Sequence, residues 1–336
     1  MGFLRWVGAS VAAYALFFLV RPFRPDMDAF ATRPDDAKLL RSFQYFAFEA
    51  SDGATLQVIE AGDRDADKGT ILLLHGFPET AALAWARYIH HFADQGFHVL
   101  APDQRGYNAS SRPDDVASYR MAQLADDAAS LVRARAVDAQ AVWVGHDWGA
   151  AVAWAGALDH PETVRKLVIL DVPHPQALKE AVVFLRLPMQ LVRSLYMFFF
   201  QLPLVSEWRL ERDDGQALMA SDFVPGLSLA KPGTFSHEYL ALARPAWALG
   251  MRHPLLWYRA ALRESIFWPF EFKHGLNVQA ETMILWGAHD YHLMEETIAL
   301  SLAYVPDATV HVLPTSHWTQ HEAFADVSRL VQAFAE

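Results

Sequence analysis

Residues 145–149, with the sequence GHDWG, place an aspartate where a nucleophilic side chain can be presented. The run 142–144 before them predicts a buried strand, and the small residues of 150–154 after them predict a helix. Glycines flank the tip of such a sharp strand-to-helix turn because a Cβ there would clash with neighbouring backbone. The segment has the frame of a nucleophile elbow, with Asp147 at the nucleophile position.

A nucleophile of this kind needs an acidic residue and a histidine later in the chain, in that order. Asp290 directly follows a predicted strand, and His317 lies in a loop between the last predicted strand and the last helix. A single loop aspartate or histidine is more often structural than catalytic. Three of them at the ends of the expected strands rarely arise by chance, so we interpret Asp147, Asp290 and His317 as a catalytic triad.

Backbone N–H groups near the nucleophile are the expected donors for an oxyanion. The natural pair is the N–H of Trp148, next to the nucleophile, and that of Phe77, which follows the third predicted strand. Phe77 is also expected to line the pocket, and its bond to Pro78 is a candidate for the cis form. We interpret His75 and His146 as structural residues that orient their loops by hydrogen bonds.

Strand and helix patterns alternate along most of the chain. The strand patterns are 42–49, 54–61, 71–74, 98–101, 142–144, 167–171, 282–286 and 309–313. Further helical patterns cover 85–95, 119–136, 294–304 and 322–335. This alternation predicts an α/β fold with a mostly parallel sheet of eight strands and helices on both faces. The site is then expected at the carboxyl ends of the strands.

The stretch 174–273 differs from the rest because it has many prolines and aromatic clusters but no strand pattern. It predicts a helical cap inserted after the sixth strand. An apolar cap over polar strand ends would form a water-poor pocket for a small molecule. The two parts of the core domain are then 26–173 and 274–336.

The amino terminus forms a separate segment. Residues 6–20 are an uninterrupted apolar or small run, preceded by Arg5 and followed by RPFRP at 21–25. A membrane span needs roughly 20 residues, with a lower limit of about 17, which the run reaches when counted from Gly2. Because no cleavage site follows, we expect 1–25 to be an uncleaved single-pass membrane anchor with the catalytic domain on the cytoplasmic side. The alternative is an amphipathic or core-docked helix.

Composition excludes several classes of protein. The net charge is −11 and there is no basic block, which argues against nucleic acid as a partner. Without cysteine, the chain has no disulfide, no thiolate zinc site and no thiol nucleophile. Neither a metal nor a cofactor is expected, although one group has side chains of suitable type for a metal: His289, Asp290, His292, His317 and His321.

Four motifs together resemble those of the epoxide hydrolases of the α/β-hydrolase fold: HGFP at 75–78, GHDWG at 145–149, 287–290 and SHW at 316–318. The similarity runs from about residue 42 to the end. DVPHP at 171–175 and the FFQLP segment at 199–203 are most similar to the membrane-anchored branch of that family. The resemblance implies an eight-stranded hydrolase core with a cap, and a reaction that opens lipophilic epoxides.

The chemistry of the triad agrees with this resemblance. A carboxylate is ionised at neutral pH, so Asp147 can attack an electrophilic carbon without a base. The resulting ester is hydrolysed by a water that His317 activates and Asp290 orients. Phe77 and Trp148 would hold the oxyanion.

Epoxide opening also needs a proton for the leaving oxygen, and in the resembling family two cap tyrosines supply it. Tyr258 matches the second donor. The first donor is expected directly before Phe-Gln-x-Pro, where this chain has Phe199. Tyr196, one helical turn earlier, is the candidate substitute, and both residues are assigned to the substrate pocket.

Two other functions remain open. Haloalkane dehalogenases also use an aspartate followed by tryptophan, but they commonly hold the halide with an asparagine where Phe77 stands or with a second cap tryptophan. Haloacetate-type enzymes place an arginine at the position of Trp148. The non-enzymatic alternative is a catalytically weak, membrane-tethered binding protein, because Phe199 cannot donate a proton.

Overall fold

The computed structural model describes residues 31–211, 230–267 and 272–336, and an eight-stranded sheet lies at its centre. The strands are β1 (Tyr45–Glu49), β2 (Thr55–Ala61), β3 (Thr70–Leu74), β4 (His98–Asp103), β5 (Ala141–His146), β6 (Val164–Leu170), β7 (Glu281–Gly287) and β8 (Thr309–Leu313). Their order across the sheet is β1-β2-β4-β3-β5-β6-β7-β8. β2 pairs antiparallel with β1 and β4, and the remaining neighbours are parallel. The carboxyl ends of the parallel strands therefore lie along one edge.

Helices cover both faces of the sheet. They are α1 (Pro34–Leu40), α2 (Ala81–Asp94), α3 (Met121–Arg135), α4 (Trp148–Asp159), α5 (Pro175–Val182), α6 (Pro188–Arg193), α7 (Leu195–Phe199), α8 (Val205–Glu211), α9 (His237–Trp247), α10 (Arg252–Phe267), α11 (Thr297–Ser301), α12 (Thr319–Glu322) and α13 (Phe324–Ala335). Helices α2 and α13 share one apolar core with the sheet, and α3 and α4 share the other. The predicted α/β-hydrolase architecture, a mostly parallel eight-stranded sheet between two helical layers, is confirmed.

The strand β3 shows how the sequence fills both cores. All five of its residues are buried. Ile71 and Leu73 belong to the core of α2 and α13, whereas Leu72 and Leu74 belong to that of α3 and α4. A parallel strand with helices on both faces has no solvent side, so its sequence is continuously apolar rather than alternating.

Between β6 and β7, the described residues form helices α5 to α10 and contribute no strand to the sheet. Aromatic side chains of α7, α9 and α10, among them Phe199, Tyr239 and Trp257, join the core on the α3 and α4 side. We call the segment 174–273 the cap; its boundaries, and the core parts 26–173 and 274–336, remain predictions.

One helix prediction is wrong in extent, because only Thr297–Ser301 of the predicted stretch 294–304 is α-helical. Backbone amides before this helix are engaged elsewhere. The N–H groups of His292 and Leu293 donate to Asp290 Oδ1, and the N–H of Met294 donates to Gln190 Oε1 in the cap. These side chains thus satisfy amides of the loop before α11, which have no helical carbonyl to bond.

In the ranges that the structure describes, no helix combines the length and the apolar character required to cross a bilayer. The predicted membrane anchor, 1–25, lies outside the described residues.

Candidate active site

The nucleophile elbow lies at the carboxyl end of β5, in the middle of the sheet. Asp147 stands between β5 and α4 with φ 50° and ψ −123°, a conformation that L-residues seldom adopt. A Cβ on Gly145 would lie 2.4 Å from the carbonyl oxygen of Gly149, and one on Gly149 would lie 2.1 Å from that of Leu74. Both glycines are therefore required for the backbone to approach this closely, as the sequence predicted.

The two carboxylate oxygens of Asp147 have different partners. The backbone N–H of Phe77 donates to Oδ1 at 2.8 Å, and Nε2 of His317 lies 3.4 Å from Oδ2. Burial raises the pKa of Asp147, but the hydrogen bond and charge of His317 outweigh it and hold this pKa below its ordinary value. Asp147 is consequently ionised, with one oxygen held by the backbone and the other facing the histidine.

His317 lies between two carboxylates. Its Nδ1 is 2.7 Å from Oδ2 of Asp290. The other oxygen of Asp290, Oδ1, accepts hydrogen bonds from the backbone N–H groups of His292 and Leu293. Burial lowers the pKa of His317, but the charges and hydrogen bonds of Asp290 and Asp147 outweigh it and hold the pKa well above its usual value. The imidazole is thus protonated in this arrangement, and Asp290 fixes its orientation.

The predicted oxyanion donors lie beside the nucleophile. Phe77 follows β3, and its bond to Pro78 is cis, as predicted. Trp148 is the first residue of α4, where a backbone N–H has no carbonyl partner one turn earlier in the helix. A Cβ on Gly76 would lie 2.5 Å from the Cβ of Asp147, so only glycine lets the Phe77 loop come this close.

Two cap tyrosines lie near each other, and one of them packs on the residues beside the nucleophile. The ring of Tyr258, on α10, packs edge-on against Trp148 at 4.8 Å and Phe77 at 5.3 Å between centroids. Tyr196, on α7, lies 6.1 Å from Tyr258 between ring centroids. Burial, and secondarily the charge of Asp147, raises the pKa of Tyr258 well above its usual value, which keeps its proton in place.

Tyr258 is contacted by Tyr196 and not by Phe199, which stands at the position where the family's first donor is expected. Phe199 is 1% exposed and packs on Phe200, 6.0 Å between ring centroids. Tyr196 contacts both Tyr258 and the ring of His292. The tyrosine that lies near Tyr258 is therefore one helical turn before Phe199, the donor position expected from the sequence.

The two histidines interpreted as structural have hydrogen-bond partners. His75 Nε2 accepts the backbone N–H of Gln104 at 3.0 Å. His146 Nε2 is 2.8 Å from the backbone oxygen of His317. Burial, the largest cause for each, lowers the pKa of both His75 and His146 to about 4, so both are neutral.

Glu79 was missed in the sequence, although it directly follows the HGFP motif. Its Oε1 accepts the hydroxyl of Tyr239 on cap helix α9 at 2.7 Å. Gln320 Nε2 bridges Glu79 Oε2 at 3.1 Å and His146 Nδ1 at 3.0 Å. A buried polar chain therefore connects the cap to the backbone of the His317 loop.

Gln190 is a second missed residue, and a lone glutamine in an apolar cap helix gives no sequence signal. Its side chain is fully buried and bonds the backbone of His292 and Met294 at 2.8 Å each. Arg193, one turn later on α6, donates to the backbone oxygen of Asp290 at 3.0 Å. Helix α6 thus holds the loop that presents the triad acid.

Comparisons with known proteins agree with this fold. The family model described as alpha/beta hydrolase fold matches residues 69–324. The AB hydrolase superfamily protein YfhM of Bacillus subtilis is 36% identical over 84% of this chain and 95% of its own length. Epoxide hydrolase 3 of Xenopus tropicalis is 31% identical over 84% of this chain and 75% of its own length.

Among solved structures, a mutant of an epoxide hydrolase from Bacillus megaterium superposes with a TM-score of 0.73 at 29% identity, covering 87% of this chain and 99% of that one. The fold and these relatives agree with one another. The chain belongs to the α/β-hydrolase family and is a hydrolase of the epoxide hydrolase type.

Proposed function

We propose that this protein opens lipophilic epoxides to diols through a covalent ester on Asp147. The observation that carries the proposal is the pair of environments at the Asp147 carboxylate. Oδ1 accepts the N–H of Phe77, while Oδ2 faces the His317–Asp290 pair at 3.4 Å. The candidates to protonate a leaving oxygen are Tyr258 and Tyr196 of the cap, whose ring centroids lie 6.1 Å apart.

In the first step, Oδ2 of Asp147 attacks an epoxide carbon, and the carbon–oxygen bond of the ring breaks. The departing oxygen takes a proton from the tyrosine pair, because an alkoxide is a poor leaving group without one. The high pKa of Tyr258 supports this role, since the hydroxyl stays protonated beside an anionic nucleophile. Phe77 keeps Oδ1 in place as the future carbonyl oxygen.

In the second step, His317 activates a water that attacks the ester carbonyl. Esterification removes one of the two carboxylates that keep His317 charged, so its pKa falls and it can accept a proton. The N–H groups of Phe77 and Trp148 stabilise the oxyanion that forms. Collapse of this intermediate releases the diol and restores the Asp147 carboxylate.

The substrate class follows from the walls of the site. The rings of Phe77, Trp148, Phe200 and Tyr258 pack around the nucleophile, with centroids 4.8 to 6.0 Å apart. Such walls favour apolar substituents on the epoxide and exclude bulk water.

Intact-mass analysis tests the mechanism. With an aryl-substituted epoxide, His317→Gln should accumulate protein heavier by one substrate, while Asp147→Ala should show neither adduct nor turnover. One turnover of the native protein in heavy-oxygen water should place label in Asp147. Label in the diol alone, or an unmodified His317→Gln protein, would refute the ester. A parallel haloalkane panel, read as halide release, tests the dehalogenase alternative.

We further propose that residues 1–25 anchor the protein to a membrane, with the hydrolase domain on the cytoplasmic side. The apolar run 6–20 and the arginines that bound it support this proposal. The expected result is that the full chain floats with vesicles and resists carbonate extraction. Ala12→Arg should release it, because a charge near the centre of a span costs about 3 kcal/mol. Unchanged flotation of that variant would contradict the anchor.

A further inference from the structure

Exposed apolar side chains are concentrated on the cap. In the ranges that the structure describes, eleven large apolar side chains are exposed, and eight of them lie in the segments 183–192 and 202–208. The other three are Tyr45, Leu249 and Val312. Single exposed apolar residues are ordinary, whereas a cluster of them marks a surface that binds a partner. We call the exposed apolar side chains of these two segments the apolar cap surface.

Helix α6 connects this surface to the active site. Gln190 and Leu191 are buried on its inner side, where Gln190 bonds the loop after Asp290. Met189 and Val192, three residues apart on the same helix, are exposed on its outer side. A helix with its side chains is about 10–12 Å across. This part of the apolar cap surface therefore lies about one helix diameter from the loop that presents the triad acid.

The charge of the cap differs from that of the rest of the chain. Residues 174–273 contain 11 lysines and arginines against 9 aspartates and glutamates, a net charge of +2. The rest of the chain contains 17 against 30, a net charge of −13. The cytoplasmic surface of a membrane is anionic, so it repels the rest of the chain but not the cap. Charge therefore favours an orientation with the cap against lipid headgroups.

The chain enters the described structure at the cap. The backbone N–H of Ala31 donates to the carbonyl oxygen of Phe235, and the N–H of His237 donates to that of Ala31, at 3.0 Å each. The apolar run 6–20 ends eleven residues before Ala31, and eleven residues span at most about 40 Å. A membrane that holds the run therefore lies within that distance of the cap segment 235–237.

We propose that the apolar cap surface docks on the lipid bilayer that holds residues 1–25, an inference that rests on the proposed function and its membrane anchor. The apolar side chains of this surface enter the boundary between headgroups and acyl chains, as those of interfacial helices do. An epoxide dissolved in the membrane then reaches the cap without crossing bulk water. The substrate class that follows is an epoxide that partitions into lipid.

A fluorescent probe on the full chain tests the docking. Leu204 is 82% exposed directly before α8, and the chain has no cysteine, so Leu204→Cys offers one site for the dye nitrobenzoxadiazole. The vesicles are phosphatidylcholine with about a quarter phosphatidylglycerol, which makes their surface anionic. On these vesicles the dye emission should shift to shorter wavelength, and doxyl lipids should quench at least about half of it.

The matched control is Thr309→Cys. Thr309 is exposed and is the first residue of β8, so it lies at the amino ends of the parallel strands, opposite the edge that carries the site. Its dye should show neither the shift nor the quenching.

Kinetics with two epoxides on the same vesicles form a second test. Leu204→Glu should keep the native kcat/KM for a water-soluble epoxide, which also shows that the variant is folded. For an epoxide that partitions into lipid, its kcat/KM should fall by at least about fivefold, because the charged side chain opposes insertion. Thr309→Glu should leave both values unchanged.

The outcomes separate the docking from the proposals on which it rests. A floating protein whose Leu204→Cys dye stays in water, or a Leu204→Glu protein with native kcat/KM for both epoxides, would overturn the docking. A blue shift before vesicles are added would overturn it as well, since a second copy or the amino-terminal segment would then cover the surface. A protein that does not float refutes the anchor and the docking together. Inactivity of the native protein with both epoxides refutes the hydrolase activity instead, and the dye result then decides the docking.

Discussion

The proposed proton donors, Tyr258 and Tyr196, can be tested by removing one hydroxyl at a time. We expect Tyr258→Phe and Tyr196→Phe each to lower kcat/KM for an epoxide by about 100-fold or more, because general acid catalysis contributes about that much. An alkyl halide leaves without a proton, so the same variants should lose less activity with it. Steady-state rates with both substrate types provide the measurement. Equal losses would remove the tyrosine from the donor role.

Asp171 is a buried carboxyl group that, unlike Asp147, keeps its proton. It directly follows β6, has φ 60° and is fully buried, and its Oδ1 accepts the N–H of Gly287 at 2.6 Å. Burial, followed by the charge of Asp290, raises the pKa of Asp171 well above its usual value. The native state therefore holds a proton that the unfolded state releases above its ordinary pKa of about 4.

Replacing Asp171 should consequently have a pH-dependent effect. The raised pKa of Asp171 makes the native protein less stable as pH rises, whereas asparagine does not titrate. The free energy of unfolding of Asp171→Asn should therefore increase relative to that of the native protein between pH 5 and pH 8. Asp171→Ala should be destabilised by about 1–3 kcal/mol, since the N–H of Gly287 is left unpaired. Urea denaturation at the two pH values measures both. A difference between Asp171→Asn and native that does not change with pH would contradict the neutral state.

Among the elements, α6 links the cap surface to the triad although it has only six residues. Met189 is 54% exposed on this helix, whereas Gln190 beside it is fully buried and bonds the loop after Asp290. Gln190→Leu should lower kcat by about tenfold, equivalent to ~1.4 kcal/mol, because the acid that orients His317 loses its support. Met189→Ala should keep the native kcat. Native activity in Gln190→Leu would show that the loop after Asp290 keeps its conformation without Gln190.

These elements also show which features a sequence can predict. The elbow at Asp147 was predictable because its two glycines have a steric cause that acts within five residues. The sheet was predictable because parallel strands require continuous apolar runs. The support of the Asp290 loop by Gln190 and the place of Tyr196 were not, because each depends on a partner distant in the chain. Gln190 bonds the backbone of Met294, and Tyr196 is identified by its contacts with Tyr258 and His292.

At the scale of the whole molecule, buried histidines lower the stability of the folded state in acid. Burial, the largest cause for each, lowers the pKa to about 4 in four histidines: His75, His146, His174 and His292. Asp103 has the opposite effect on stability in acid, because burial raises its pKa to about 6 and its contribution is lost as pH rises. Each histidine stays neutral in the native state while the unfolded chain takes up a proton below about pH 6.5. The stability contributed by each is therefore lost as pH falls from 6.5 to 4.

His174 allows this to be measured away from the site. Its ring is buried against Tyr304, stacked at 4.6 Å between centroids, and its Nδ1 accepts the N–H of Gln176 at 3.2 Å. His174→Gln should be less stable than native at pH 7, because the stacking is lost. That deficit should shrink by up to about 3 kcal/mol between pH 6.5 and pH 4, since glutamine takes up no proton on unfolding. Urea denaturation across this range decides the matter, because a constant deficit would mean that His174 is already charged in the native protein.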